Sequence, residues 1–141
     1  MTLTLAQAQA VVSGTLAEAR ARGAKPLAVI VLDAGAHPVA FGREDGASLY
    51  RFDIARAKAQ GAVGMDADTG VLAERAKGNP LFFQSVSAVV AGGIAFSPGG
   101  VVIRDGEGTA IGAVGVSGDT GECDAECAMA GIRAAGLSKE I

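Results

Sequence analysis

Hydrophobic positions along the chain follow two rhythms. Between Thr4 and Arg22, the residues Leu5, Ala8, Val12, Leu16 and Ala19 recur at helical spacing, which predicts an amphipathic helix capped by Thr4 and ended by Gly23. After Pro26 the rhythm changes: Leu27 to Leu32 is an unbroken apolar run of strand length, as expected for a strand covered on both faces. Turn formers from Asp33 to Pro38 separate it from Val39–Phe41, predicting a hairpin whose second strand runs into Arg43-Glu44-Asp45-Gly46. A helix is expected from Ser48, its cap, to about Val63, with Phe52, Ala55, Ala59 and Val63 as its apolar stripe. Arg51 and Lys58 share another, basic face of that helix.

The second half begins with a short helical stretch from Asp68 or Thr69 to Lys77, after which Asn79-Pro80 opens a segment over Leu81–Ser87. From Val89 onward glycine and β-branched residues dominate. The pattern predicts a three-strand meander at about 88–95, 100–104 and 110–117, with turns at Ser97–Gly100 and Asp105–Gly108. A closing helix over about 120–136 would bury Ala125, Ala128, Met129, Ile132 and Ala135, with Glu122, Asp124 and Glu126 in its early turns, where the helix dipole favours negative charge. The order of elements predicts an α+β domain with a five-stranded antiparallel sheet covered by helices. Rossmann alternation is absent, as are a GxGxxG after a strand and a P-loop lysine.

Composition narrows the function classes. At 141 residues the chain is the size of one domain, expected to span 1–141. Half of it is hydrophobic but only 4% is aromatic and there is no Trp, so the core must be built from Ala, Val, Leu and Ile packed closely. A net charge of -3 with dispersed basic residues argues against nucleic acid and for a small, acidic ligand. No stretch reaches the roughly 20 apolar residues of a membrane span, and the N-terminus lacks signal-peptide regions, so a cytoplasmic location is expected. Cys123 and Cys127, at i and i+4, are half of a tetrahedral metal site at most and are read as free core thiols.

Candidate chemistry gathers at two places. The turn Ser117-Gly118-Asp119-Thr120 joins the last strand to the closing helix, whose first amides either hold an oxyanion or are capped by Asp119 or Thr120. The first hairpin carries His37, the single histidine, with Arg43, Glu44 and Asp45. Arg43, Arg51, Arg56 and Lys58 are candidate cations for an acidic ligand, and Glu44 or His37 is a candidate general base. A Ser117-His37-Asp119 triad is discounted, because Asp119 is two residues from Ser117 and no GxSxG elbow is present.

Across nearly the whole chain these segments resemble the GlcG/HbpS family, also described as haem-degrading-like and including the C-terminal domain of PduO-type proteins. The resemblance rests on Asp33–Phe41, Arg43–Ala47, Ile54-Ala55 with Lys58-Ala59, Pro98–Ile103, Ile111–Gly118, Asp124 and Ala130-Gly131. It implies a profilin-like fold with helices on both faces of the sheet, and a homo-oligomer. It also implies binding of haem, another tetrapyrrole or a corrinoid. His37 matches a position where the family often has histidine and would be the metal ligand if haem is bound, with Arg43 or Lys58 pairing with propionates. The chain departs from the family at Gln60-Gly61, where Thr-Ala is common, and at Glu44, a position often apolar, which suits a polar substrate better than a porphyrin face. Three functions stand open: a haem- or tetrapyrrole-binding oligomer, an enzyme that hydrolyses an imine or enamine or moves a proton on a small unsaturated carboxylate, and an accessory protein without chemistry. The expected ligand-binding set is His37, Arg43, Asp45, Arg56, Lys58, Ser117, Gly118, Asp119 and Thr120.

Overall fold

The computed structural model describes residues 2–138. Helix α1 (Leu5–Ala21) starts where the sequence predicts. Thr4 Oγ1 accepts from the Gln7 amide and the Gln7 side chain accepts from the Thr4 amide, a reciprocal capping box. Strands β1 (Ala28–Asp33) and β2 (Pro38–Arg43) form the expected antiparallel hairpin, with Ile30 opposite Phe41. Helices α2 (Arg51–Met65), α3 (Thr69–Gly78) and α4 (Pro80–Val89) precede a second hairpin, β3 (Gly100–Arg104) and β4 (Ala110–Ser117), and the closing helix α5 (Gly121–Ala134). The strand order is β2-β1-β4-β3 and every pairing is antiparallel. β1 and β4 are therefore central, which is why both read as continuous small-apolar runs.

Alternate strand residues feed two cores. Val29, Val31, Val101, Ile103, Val114 and Val116 face α1 and α5, whose Ala8, Val11, Ala19, Cys127, Ala128 and Ile132 close that layer. Ala28, Ile30, Leu32, Val102 and Ala113 face α2 through Ala55, Ala59 and Ala62. On this second face a Cβ added to Gly115 would lie 1.9 Å from the Ala55 carbonyl oxygen, so the α2 backbone rides directly on β4. That close approach brings Lys58, one turn further along α2, to the end of β4.

The sheet has four strands among the described residues, and the fifth strand expected at about 88–95 is absent. Pro80, in the first turn of α4, sets a helix that takes up Val86 and Val89. Gly92 and Gly93 then both adopt positive φ, 83° and 73°, which an extended strand does not allow. Side chains meet this segment's polar groups in place of a ladder: the Gln60 amide donates to the carbonyls of Ala91 and Gly93, and Ser87 Oγ bonds the Ile94 amide and carbonyl.

Two smaller expectations also shift. Ser48 does not cap α2; the N-cap is Tyr50, without a side-chain capping bond, and Ser48 Oγ accepts from Arg51 Nε instead. On α5 the buried face is Asp124, Cys127, Ala128, Gly131 and Ile132, leaving Ala125, Met129 and Ala135 half-buried beside it. The phase is set by the seam with α1, where Gly131 packs against Thr15. Both cysteines are free, and burial, reinforced by Cys123, pushes the Cys127 thiol up to about 12.

Candidate functional site

Most of the expected site residues converge at one end of the sheet, where β2 and β4 end and α2 and α5 begin. Lys58 rises from α2 into this end, and its Nζ donates to the Val116 carbonyl at 2.9 Å and to Asp124 Oδ2 at 3.2 Å. Both side chains are buried, 4% and 1% exposed. Burial lowers the Lys58 pKa against the pull of Asp124, with Arg51 adding repulsion, and burial raises the Asp124 pKa against the pull of Lys58. Lys58 thus has its counterion inside the protein.

The Ser117–Thr120 turn is closed from within. Asp124 Oδ1 accepts from the Asp119 amide at 3.0 Å, Asp119 Oδ1 from the Thr120 amide at 2.7 Å, and Thr120 Oγ1 from the Cys123 amide at 3.2 Å. Asp119 Oδ2 reaches across to the Lys25 amide at 2.8 Å, and these backbone bonds hold its pKa below the ordinary carboxylate value. Of the two readings of this turn, capping is the one its hydrogen bonds carry out, and the amides of Asp119, Thr120 and Cys123 are taken. Ser117 is buried, with Arg51 Nη1 donating to its Oγ at 3.1 Å. Gly118 packs against Pro26 and Leu27.

Beyond the turn lies the end of β2. Glu44 is a clamp: Oε1 accepts from the Leu27 amide at 2.8 Å and from Arg20, whose Nε lies 2.8 Å from Oε2. Arg43 and Asp45 are exposed and join Arg20, Pro26 and Glu44 around an open cleft of about 440 Å³. Arg43 therefore does share a cleft with carboxylates. A second groove of about 230 Å³ lies on the other side of Pro26, lined by Lys25, Gly46, Ala47, Ser48, Arg51 and Gly118. Arg56, half-buried on α2, lines neither.

His37 stands apart from this group. The seven residue steps from His37 to Glu44 span roughly 20 Å at strand rise, so the hairpin holds them at opposite ends instead of clustering them. The His37 side chain is 80% exposed, with Nδ1 3.3 Å from Asp33 Oδ1. The same oxygen accepts from the Gly35 and His37 amides at 2.9 Å each, bonds that keep the Asp33 carboxylate below its ordinary pKa. The imidazole lies over Gly35, where a Cβ would sit 2.9 Å from its ring. Beside this turn is a groove of about 390 Å³ walled by Leu3, Ala34, Ala110 and Ile111 with Thr2, Asp33, Gly35 and Thr109. His37 Nε2 has no hydrogen-bond partner among the described residues. No group of three His, Cys, Asp or Glu side chains is placed to hold a metal ion among those residues.

A family model described as haem degrading protein HbpS-like matches residues 3–133. The chain belongs to the HbpS-like family. The match runs through both ends of the sheet and agrees with the resemblance read from the residues. Solved structures of similar fold include a PduOC:heme complex, 23% identical, with all of both chains covered and a TM-score of 0.88. A double mutant of Streptomyces reticuli HbpS is 28% identical over 94% of this chain and 86% of that one, with a TM-score of 0.83. The Klebsiella pneumoniae protein ORFY is 26% identical over 96% and 92%, with a TM-score of 0.87. No match is found among curated protein sequences. No helix among the described residues of this HbpS-like chain is long and apolar enough to cross a membrane.

Two residues outside the expected set belong to these sites. Asp33 orients His37, and its position four residues before the histidine, with Gly35 between, is a readable Asx-turn pattern. Arg51 is visible in the sequence only as one cation on a basic helix face, and its serine partner at Ser117 is 66 residues away.

Proposed function

We propose that this HbpS-like chain binds haem or a related tetrapyrrole, with His37 Nε2 as the iron ligand. The observation that carries the reading is the His37–Asp33 pair, whose Asp33 lines the apolar groove. A carboxylate at Nδ1 fixes the tautomer and ring direction and leaves Nε2 as the metal-binding nitrogen. The groove beside it offers apolar walls of the kind a porphyrin edge requires. The residues therefore fit an axial-ligand site, and haem bound there supplies a redox-active iron. In this reading the second wall of the slot comes from another copy of the chain, in keeping with the homo-oligomer and profilin-like fold that the resemblance implies. Support for an enzyme using Glu44 and His37 together is weaker, since Glu44 is held by Leu27 and Arg20 and the two residues sit at opposite ends of β2.

Haemin titration followed at the Soret band tests this. The wild type is expected to give a saturable red shift, lost in His37→Ala. In Asp33→Asn the affinity should fall about tenfold or more, the usual effect of removing a ligand's orienting partner. An unchanged shift in His37→Ala overturns the assignment.

A further inference from the structure

Arg51 is a half-buried cation without a carboxylate partner among the described residues. Its guanidinium is fixed from two sides, with Nε donating to Ser48 Oγ and Nη1 to Ser117 Oγ, each at 3.1 Å. Two neutral hydroxyls orient the plane but do not balance the charge, and both N–H groups of Nη2 are without partners among the described residues. The nearby acids are already engaged: Asp124 with Lys58, and Asp119 with the amides of Lys25 and Thr120. Arg51 also lies close enough to Lys58 for the two positive charges to repel, and the carboxylate of Asp124 is bonded to Lys58. A partly desolvated charge in this position is stabilised by an anion from solution.

The geometry around Arg51 gives that anion a place. The groove of about 230 Å³ is lined by Arg51 together with Lys25, Pro26, Gly46, Ser48 and Gly118. Its size admits a small molecule and not a macromolecular segment. A serine-fixed guanidinium is a planar donor suited to a flat oxyanion, and its fixed orientation reduces the entropy lost on binding. The Asp119 carboxylate in the adjoining turn disfavours a dianion, which selects a monoanion. We infer that the Arg51 groove is a binding site for a small monocarboxylate, seated on Nη2 of Arg51 beside Lys25. The site is separate from the His37 groove, because the roughly 20 Å along β2 is farther than a propionate reaches from the iron of its own porphyrin.

The test is a titration of the ¹⁵N-labelled protein with sodium acetate at constant ionic strength, followed by amide resonances, with inorganic phosphate as a second probe. Saturable shifts centred on Ala47, Ser48 and Gly118 are expected. In Arg51→Gln the acetate affinity should fall at least about tenfold, as for loss of a charge-assisted hydrogen bond, with Arg51→Lys in between. Shifts that do not saturate, that centre elsewhere, or that persist unchanged in Arg51→Gln overturn the site. Phosphate binding tighter than acetate overturns its assignment to a monocarboxylate. If Arg51→Gln does not fold, the wild-type map and Arg51→Lys decide the matter. His37→Ala is expected to bind acetate as the wild type does, so failure of the haem reading and failure of this one are read from different variants.

Discussion

Lys58 and Asp124 show how a single buried pair organises the β4–α5 end of the molecule. Lys58 ties α2 to the β4 carbonyl of Val116, while Asp124 holds both Lys58 and the Asp119 amide, so removing either leaves a buried group unpaired. Asp124→Ala should cost about 3–5 kcal/mol in urea unfolding, the range for stranding one member of a buried pair. The double variant Lys58→Met/Asp124→Leu should recover much of that loss, because it removes both charges. Asp119 makes a separate prediction in acid. Its folded-state pKa is lowered, so the stability it contributes is present above its ordinary value of 3.8 and is lost as pH falls through the lowered value. Asp119→Asn should therefore flatten the decline in thermal midpoint below about pH 4. Asp124 has the opposite sign, since its raised pKa favours the folded state below 3.8 and that contribution fades as pH rises through the raised value. Little of this was legible in the sequence, where a lysine on a helix reads as a surface charge and its partner stands 66 residues away.

At the scale of elements the sequence was a better guide, because caps and apolar runs are local. The Thr4 capping box, the first hairpin and the closing strand–turn–helix all lie where the pattern puts them. The error at 88–95 has a specific cause: β-branched residues there suggest a strand, but Pro80 starts a helix upstream and two positive-φ glycines end any extended run. The missing edge is managed by side chains. Asp68 Oδ1 accepts from the Val102 amide and Thr69 Oγ1 from the Gly100 amide, which satisfies donors on the outer side of β3 that another strand would have paired. Contact between α2 and β4 yields the sharpest prediction for an element. Gly115→Ala places a methyl against the Ala55 carbonyl and should destabilise by about 1–3 kcal/mol, the usual cost of overpacking, in chemical denaturation. Gly106→Ala, in open space at the β3–β4 turn, should leave the midpoint within about 0.5 kcal/mol and serves as the matched control.

At the scale of the whole molecule, proximity in sequence misleads about proximity in space. His37, Arg43, Glu44 and Asp45 look like one cluster on a hairpin, yet a six-residue strand is long enough to put the histidine and the charged group at opposite ends of the sheet. Conversely, Lys25, Gly46, Arg51 and Gly118 meet around one groove although they come from three separate parts of the chain. The two sites have different chemistry, an imidazole beside apolar walls and a guanidinium held by serines, and the central strands between them are tightly packed and fully paired. Two ligands that share neither contacts nor a mobile element have no coupling free energy, and linkage then requires that neither alters the other's affinity. Haemin affinity measured at the Soret band should thus stay within about twofold when acetate saturates the Arg51 groove, and again in Arg51→Gln. If acetate instead weakens haemin binding about tenfold in the wild type but not in Arg51→Gln, the two ligands compete for that guanidinium. That outcome would join the two grooves into one site assembled between copies of the chain, with a propionate as the carboxylate that Arg51 holds.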